Sequence, residues 1–231
     1  MLLAIDTSSC VLSCALVEKD KLISEWTVQR KLTHSEQLVP HLDTVLKDAG
    51  IEKKEITAIA AAKGPGSFTG LRIGLATAKM AAHIWKIPLV GVDTLEALAW
   101  NMAGAQAFIL PLEDAQRGNV YAALYGAFDQ MWQEAPAEAA PIEKVIQAAL
   151  RHGGPVIAVG EGADMYKEQL LAAGIQLAPL NNRCCRAASV AMAALRKLEN
   201  NEFDDPLALV PNYIRRSEAE VLWEKTHQET P

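Results

Sequence analysis

Aspartates follow two strand-like apolar runs in this 231-residue chain, and a carboxylate in that position can take part in chemistry. Asp6 ends the run Leu2–Asp6, and Asp114 follows Phe108–Leu112 after one glutamate. In nucleotide-handling α/β proteins such carboxylates bind Mg²⁺ or orient a phosphate, and the hydroxyls of Thr7–Ser9 could assist at Asp6. The alternative is an aspartate that only accepts hydrogen bonds from nearby backbone amides. The residues leave both interpretations open at Asp6 and favour the second at Asp114.

A glycine-rich segment, Lys63–Gly74, separates a buried-strand pattern at Ile56–Ala62 from a helix pattern at Leu71–Trp85. Backbone amides at a helix N-terminus favour anions, so the loop could cradle a phosphate. Glycines also allow a tight turn where any side chain would clash, and the residues favour this second interpretation. The segment lacks the Gly-Lys-Ser/Thr ending of a Walker A motif, which excludes an ordinary P-loop. Ser67 or Thr69 is expected to cap the helix.

The helix after the glycines has two apolar sides, and a helix of that kind needs two partners to pack against. We expect one partner to be the chain's own sheet and the other to be a further helix or another protein. Small residues recur on one side, at Gly70, Gly74, Ala78 and Ala82. The other side carries Ile73, Thr77, Met80 and Ile84.

The histidines and cysteines do not form a metal-binding pattern. His34 and His41 are seven residues apart, whereas a zinc-binding helix needs a spacing of four, and Leu38 stands at that place. His34 is expected to cap a helix or to lie at the surface. The four cysteines are expected to be buried cytosolic thiols rather than metal ligands or disulfide partners. We predict no metal site and find no nucleophile–base pair.

Composition limits the function classes. Half of the residues are apolar and the formal net charge is −6, which argues against tight binding of nucleic acid by charge alone. The N-terminus has no signal-peptide pattern, and charges and Pro88 interrupt the longest apolar region, Leu71–Val92. We expect a cytoplasmic protein with no membrane segment. The length suits one large domain or two small lobes.

The order of the elements indicates an α/β fold with a weak internal repeat. Three antiparallel strands lead to a helix with a capping-box pattern at Thr33–Glu36. After Ala103–Ala105 the chain again runs strand, acidic turn, strand. Further along, the patterns predict a connector at Ala135–Pro141 and one helix at Ala163–Ala173. A last short helix is predicted at Ser217–Lys225.

Several motifs together resemble the bacterial TsaB (YeaZ) family. They are Ala4–Ser8, the helix start His34–Pro40, the glycine-rich Lys63–Gly74, the turn Asp114–Tyr121 and the ending Pro211–Arg215. The motifs follow one another in order along nearly the whole chain. Gln116 and Asn119 depart from the family pattern Asp-Ala-Arg-Arg-Gly-Glu-Val-Tyr, so any partner or ligand contact at those positions is in doubt.

The resemblance implies a fold of two actin-like lobes, each a mixed sheet flanked by helices, as in sugar kinases and chaperone ATPases. Residues 1–104 would form the first lobe, joined by a C-terminal helix at 217–231, and residues 105–216 the second. It also implies a role in making threonylcarbamoyladenosine beside the anticodon of tRNAs that read codons starting with A. There the chain would be a non-catalytic subunit that binds and activates TsaD, the threonylcarbamoyl-transferring enzyme.

The resemblance also implies partners and contact residues. The partners would be TsaD, TsaE in a larger complex, and a second copy of the chain when TsaD is absent, with tRNA reached only through the complex. We expect the interface near the first two long helices, with the side that faces the partner left open, and expect Gly74→Arg to block pairing with little change in the lobe's fold. The expected interface residues are Leu38, Leu42, Leu71, Gly74, Leu75 and Ala78.

The resemblance implies no required cofactor, and leaves open whether ATP or ADP lodges at the partner interface. The residues that would lie near such a nucleotide are Asp6, Thr7, Ser8, Gly66 and Ser67. One alternative function is a transferase or kinase that uses ATP and a metal between Asp6 and Asp114. Another is a metallopeptidase, which the missing His-x-x-x-His spacing disfavours. A local basic patch at Arg215 and Arg216 could contact tRNA.

Overall fold

The computed structural model describes residues 1–30 and 33–214, which form ten strands and seven α-helices. Arg215, Arg216 and the helix predicted at 217–231 lie outside the described residues. The strands are β1 Leu2–Asp6, β2 Val11–Glu18, β3 Lys21–Gln29, β4 Ala58–Gly64, β5 Leu89–Asp93, β6 Ala107–Asp114, β7 Asn119–Ala127, β8 Met131–Pro141, β9 Val156–Val159 and β10 Gln176–Leu177. The helices are α1 His34–Ala49, α2 Phe68–Trp85, α3 Thr94–Trp100, α4 Ile142–Leu150, α5 Glu161–Met165, α6 Lys167–Ala172 and α7 Ala187–Glu199.

The strands form two sheets of five with the same internal order. The first sheet runs β3-β2-β1-β4-β5, and the second, read from its far edge, runs β8-β7-β6-β9-β10. The central strand of the first sheet, β1, pairs antiparallel with β2 and parallel with β4. The central strand of the second sheet, β6, pairs in the same way with β7 and β9. The weak internal repeat expected from the sequence is therefore present in the structure as two sheets with the same strand order and strand directions.

Helices cover both faces of each sheet. One face of the first sheet packs on α1 and α2 around Leu3 and Ile59, and its other face packs on α7 through short alanine contacts. Helix α3 lies between the sheets, where Leu95 and Leu98 share an apolar cluster with Ile109 of β6. Helices α4 to α6 cover the outer face of the second sheet. Burial on both sides explains why β1 and β4 are almost continuously apolar.

The chain returns to the first sheet after completing the second. Helix α7 packs on β1 and β2, Asp204 bridges to Leu89 at the edge of that sheet, and the Asn212 amide donates to the Lys63 carbonyl. These residues fall in the range 105–216 that was expected to form the second lobe. The lobe boundaries stay a prediction, and we propose to count α7 and residues 204–212 with the first lobe.

Three local expectations are wrong. Ala135–Pro141 is no connector but the end of β8, because it pairs with β7 as far as Asn119. The helix expected over Ala163–Ala173 is divided at Tyr166 into α5 and α6. Thr33 precedes α1, but its side chain accepts no capping hydrogen bond.

None of the helices within residues 1–30 and 33–214 has both the length and the apolar character needed to cross a bilayer.

Candidate functional site

The turn after β1 lies directly against the glycine loop that opens α2. The Ser67 amide donates to the Ser8 carbonyl at 2.6 Å, and the Thr7 hydroxyl donates to the Gly70 carbonyl at 2.8 Å. Ser67 also caps α2, because its hydroxyl accepts from the Gly70 amide at 3.2 Å. The structure thus brings Thr7, Ser8, Gly66 and Ser67 together. That they lie near a nucleotide stays a prediction.

Close backbone approach explains the glycines of this loop. A methyl group at Gly66 would overlap the Ser8 carbonyl, and one at Gly70 would overlap the Thr7 carbonyl. The Ser67 amide, which a phosphate would need, already has a backbone partner. The geometry therefore favours the tight-turn interpretation over a phosphate cradle.

Asp6 is fully buried at the end of β1 and is only partly satisfied. Its Oδ1 accepts from the Ser8 amide at 2.9 Å and from the Ser8 hydroxyl at 2.6 Å, whereas its Oδ2 has no hydrogen-bond partner. Burial raises the pKa of Asp6, and the two Ser8 hydrogen bonds oppose that rise. A buried carboxylate oxygen without a hydrogen-bond partner lowers the stability of the fold, so the backbone-bonding interpretation of Asp6 accounts for only one of its two oxygens.

In the second lobe the buried carboxylate is Glu113, which the sequence reasoning missed in favour of Asp114. Asp114 is partly exposed and accepts from the Gln116 amide at 2.7 Å, which agrees with the backbone-bonding interpretation of that residue. Glu113 is buried, and burial, followed by the charge of Glu161, raises its pKa to about 8. The alternation of side chains along a strand could have identified Glu113, because neighbouring residues of a strand point to opposite faces of the sheet and Asp114 therefore points away from it.

Cys185 connects the two lobes between these carboxylates. Its thiol lies 3.8 Å from the Ser8 hydroxyl and 3.7 Å from Glu113 Oε1. Burial raises the pKa of this thiol well above its usual range, so the neutral form is the one present. The expectation of buried thiols holds for Cys14 and Cys185 but is wrong for Cys10, which is exposed. Cys184 is half-buried, and none of the four forms a disulfide.

The cavity between the lobes beside Cys10, Glu113 and Cys185 is much smaller than a nucleotide-binding pocket. A cavity of about 30 Å³ remains beside Cys10, Glu113 and Cys185, whereas ligand pockets usually measure roughly 300–1,000 Å³. In the part of the chain that the structure describes, no three His, Cys, Asp or Glu side chains converge as a metal site. A nucleotide therefore has no room in this cavity.

His34 joins α1 to the turn after β1. Its Nε2 lies 3.0 Å from the Ser9 carbonyl oxygen, while its Nδ1 is buried without a partner. His34 was expected to cap a helix or to lie at the surface, and the structure shows neither. It instead positions the start of α1 beside Asp6.

The positions that depart from the family pattern build the β6–β7 turn. Gln116 and Arg117 adopt left-handed backbone conformations with φ of 62° and 55°, and the Asn119 amide donates to the Gln116 carbonyl at 3.1 Å. The side chains of Gln116 and Arg117 are exposed at this turn.

The expected contact residues lie mainly on the inner side of α1 and α2. Leu42 is half-buried, and the other five are buried in the chain's own core: Leu38, Leu71, Gly74, Leu75 and Ala78. A methyl group at Gly74 would already overlap the Thr7 hydroxyl, so the expectation that Gly74→Arg spares the lobe's fold is wrong. A role of these residues in partner contact stays a prediction.

The outer side of the same helices exposes an apolar row. Met80 and Ile84 are 60% and 62% exposed, and Ile73 and Thr77 continue the row half-buried. Val39 of the neighbouring α1 is 61% exposed. Residues three or four apart on a helix are neighbours, so this row is contiguous rather than scattered.

Comparison with known proteins agrees with this architecture. The family described as TsaD, tRNA N6-adenosine threonylcarbamoyltransferase, matches residues 28–223. The tRNA threonylcarbamoyladenosine biosynthesis protein TsaB of Bacillus subtilis is 32% identical over 96% of this chain and 97% of its own length. TsaB of Escherichia coli is 31% identical over 70% of this chain and 71% of its own.

Solved structures show the fold. YeaZ from Pseudomonas aeruginosa superposes with a TM-score of 0.78 at 24% identity, covering 92% of this chain and 98% of that one. A ROK hexokinase from Thermus thermophilus superposes with a TM-score of 0.50 at 12% identity, covering 85% of this chain and 99% of that one. The two lobes are therefore actin-like, as in the sugar kinases, and the chain belongs to the TsaB (YeaZ) family within the wider TsaD family.

Proposed function

We propose that this chain is a non-catalytic subunit that binds and activates TsaD. TsaD would transfer the threonylcarbamoyl group from threonylcarbamoyl-AMP to the adenosine beside the anticodon of tRNAs that read codons starting with A. The family relationship supports the pathway, since the Bacillus subtilis and Escherichia coli relatives are named as tRNA threonylcarbamoyladenosine biosynthesis proteins.

The observation that carries the proposal is the exposed apolar row on α2. Met80 and Ile84 lie one turn apart and leave more than half of their surface to solvent, although α2 already buries its small-residue side against the sheet. A helix with a second, exposed apolar side is expected to pack against another protein. We therefore place the partner contact on Ile73, Thr77, Met80 and Ile84, together with Val39 of α1.

The buried residues then act as positioning residues. Leu71, Leu75 and Ala78 hold α2 on the sheet, and Gly74 lets the helix approach Thr7. The same outer surface would pair two copies of the chain when TsaD is absent. TsaE would join the larger complex, and tRNA would be reached through TsaD, in keeping with the net charge of −6.

A nucleotide, if one takes part, would lodge at the partner interface and not in the cleft. The cleft cavity of about 30 Å³ supports this placement, because it is far below the usual size of a ligand pocket, roughly 300–1,000 Å³. Asp6, Thr7, Ser8, Gly66 and Ser67 would then fix the start of α2 beside that interface. The chain itself would need no cofactor.

The test is co-purification of this chain with TsaD of the same organism, followed by a transfer assay with and without the chain. We expect a stable complex, and we expect modification of tRNA to depend on this chain. A chain that ignores TsaD but hydrolyses ATP or transfers the group alone would overturn the proposal.

A further inference from the structure

A chain of four buried polar groups crosses the boundary between the lobes. Asp6 and Ser8 belong to the first lobe, Glu113 belongs to the second, and Cys185 lies between them. Ser8 Oγ is 2.6 Å from Asp6 Oδ1 and 3.8 Å from Cys185 Sγ, which is 3.7 Å from Glu113 Oε1. None of the four residues is more than 3% exposed, so these groups depend on one another for hydrogen bonds.

The three contacts of this chain compete for two hydrogens. Ser8 and Cys185 each carry one polar side-chain hydrogen, and an ionised carboxylate carries none. The Ser8 hydrogen goes to Asp6, the nearer acceptor, at 2.6 Å. The thiol hydrogen can then serve Ser8 Oγ or Glu113 Oε1, but not both. All three contacts are therefore hydrogen bonds only when Glu113 itself carries a hydrogen.

The surroundings of the two carboxyl groups place that hydrogen on Glu113. Asp6 accepts from the Ser8 amide at 2.9 Å as well as from the Ser8 hydroxyl, and both bonds favour its ionised form. Glu113 Oε1 accepts from the Glu161 amide at the longer distance of 3.4 Å. Burial and the charge of Glu161 raise the pKa of Glu113, which agrees with a protonated carboxyl group.

The other charged groups nearby reinforce this difference between the lobes. The described titratable and charged residues that line the cavity beside Glu113 are Cys10, Glu161, Asp164, Arg183, Cys184 and Cys185. The Arg183 guanidinium is paired with Asp164 at 2.7 Å, so its charge is largely compensated. In the first lobe the charge of His34 lowers the pKa of Asp6 and so favours its ionised form.

We propose that the proton on Glu113 sets the direction of the Cys185 hydrogen bond and so switches the link between the lobes. When Glu113 is protonated, its hydroxyl donates to the Cys185 sulfur, and the thiol donates to Ser8 of the first lobe. When Glu113 passes its proton to water, the thiol turns and donates to the Glu113 carboxylate. The bond to Ser8 is then lost, so Cys185 ties the two lobes together only below the pH at which Glu113 ionises.

The first test is a carbon-13 NMR titration of the Glu113 and Asp6 carboxyl groups in the full chain. Ser8→Ala removes the acceptor of the thiol and leaves Cys185 free to donate to ionised Glu113. The pKa of Glu113 is therefore expected to fall by about one pH unit, although Ser8 does not contact Glu113. Circular dichroism checks that the variant is folded.

The matched control is the same Ser8→Ala change in a Cys185→Ala background, where no thiol remains to turn. There the pKa of Glu113 should move much less. An effect transmitted by the charge of Asp6 would instead persist, because that route does not need the thiol. A Glu113 pKa that Ser8→Ala leaves unchanged, or changes equally in both backgrounds, would overturn the proposal.

The second test follows the S–H stretching band of Cys185 by infrared spectroscopy in the parent chain, and Cys185→Ala identifies the band. A hydrogen bond to a carboxylate is stronger than one to a hydroxyl, so the band should move to lower frequency as the pH rises through about 8. The thiol of Cys14, which is also buried, is the internal control and should keep its frequency. A Cys185 band that stays in place while Glu113 titrates would contradict the switch.

Discussion

The two lobes have sheets of the same strand order and similar close contacts at glycines, but they differ in the helix that follows those glycines. In the first lobe Gly66 and Gly70 let the loop after β4 press on the end of β1, and in the second Gly160 and Gly162 do the same between β9 and β6. The next helix has 18 residues in the first lobe, whereas the second lobe has helices of five and six residues. The common part builds the fold, and the difference creates the long outer surface of α2.

The two sides of α2 have different roles: one side holds the lobe together, and the other is available to a partner. The inner side of α2 is occupied by Thr7 and the sheet, and its outer side exposes Met80 and Ile84. The short helices α5 and α6 offer no comparable run of turns. We therefore expect inner-side changes to act on stability and outer-side changes to act on binding.

The largest stability effect is expected at the glycine contact of the first lobe. Gly70→Ala should lower the free energy of unfolding by about 2–3 kcal/mol, because the methyl group would overlap the Thr7 backbone carbonyl. Gly162→Ala should cost about 1 kcal/mol, since its methyl would meet a side-chain carbon of Leu112 at 2.9 Å. Urea unfolding measures both, and equal losses would show that the two glycine contacts are equivalent.

The next effect is a pH dependence of stability, which we expect from the buried Glu113 of the second lobe in addition to Asp6 of the first lobe, whose pKa is also raised by burial. Glu113 has its pKa raised from 4.5 to about 8 by burial, so the folded state holds a proton that the unfolded state releases. Stability from this group is present below pH 4.5 and is lost as the pH rises to about 8.

Glu113→Gln should remove this loss, which we expect to be on the order of 1–3 kcal/mol. The measurement is urea unfolding at several pH values between 4.5 and 8. Asp114→Asn, a change at the neighbouring carboxylate, is the control and should keep the slope. A Glu113→Gln protein with the parent's slope would assign the pH dependence elsewhere.

The smallest effect is expected at the hydroxyl that ties α2 to β1. Thr7→Val should lower the free energy of unfolding by about 1 kcal/mol, because the Gly70 carbonyl loses the hydroxyl donor that ties it to the turn after β1. Thr77→Val is the matched control, since the Thr77 hydroxyl donates to Ile73 within a half-exposed part of α2. Thermal unfolding compares them, and an equal shift in Tm would argue against a special role of the Thr7 contact.

Much of this architecture could be predicted from the sequence. Strand alternation, the Ser67 cap and the two-sided pattern of α2 gave the elements of the first lobe, and the family motifs gave the actin-like fold. The pairing of distant residues could not be predicted, because it depends on how the lobes pack. Burial of Glu113 beside Cys185, the link from His34 to Ser9 and the return of α7 to the first sheet are all of this kind.

The interface prediction shows the same limit. The family resemblance implies an interface on α1 and α2, and the expected residues Leu71, Leu75 and Ala78 lie on one of the two apolar sides of α2. Periodicity alone cannot tell which of these sides the sheet covers. The structure buries that side, so the proposed contact moves to the side with Met80 and Ile84.

The most direct test of the proposed contact is a calorimetric titration of this chain into TsaD. The variants are the double substitution Met80→Asp and Ile84→Asp and the control Leu180→Asp, all at strongly exposed positions. The double variant should bind at least about 100-fold more weakly, as expected for loss of central apolar contacts, while the control keeps the parent's affinity. Parent-like binding by the double variant would contradict the assignment of the outer side of α2 to the partner.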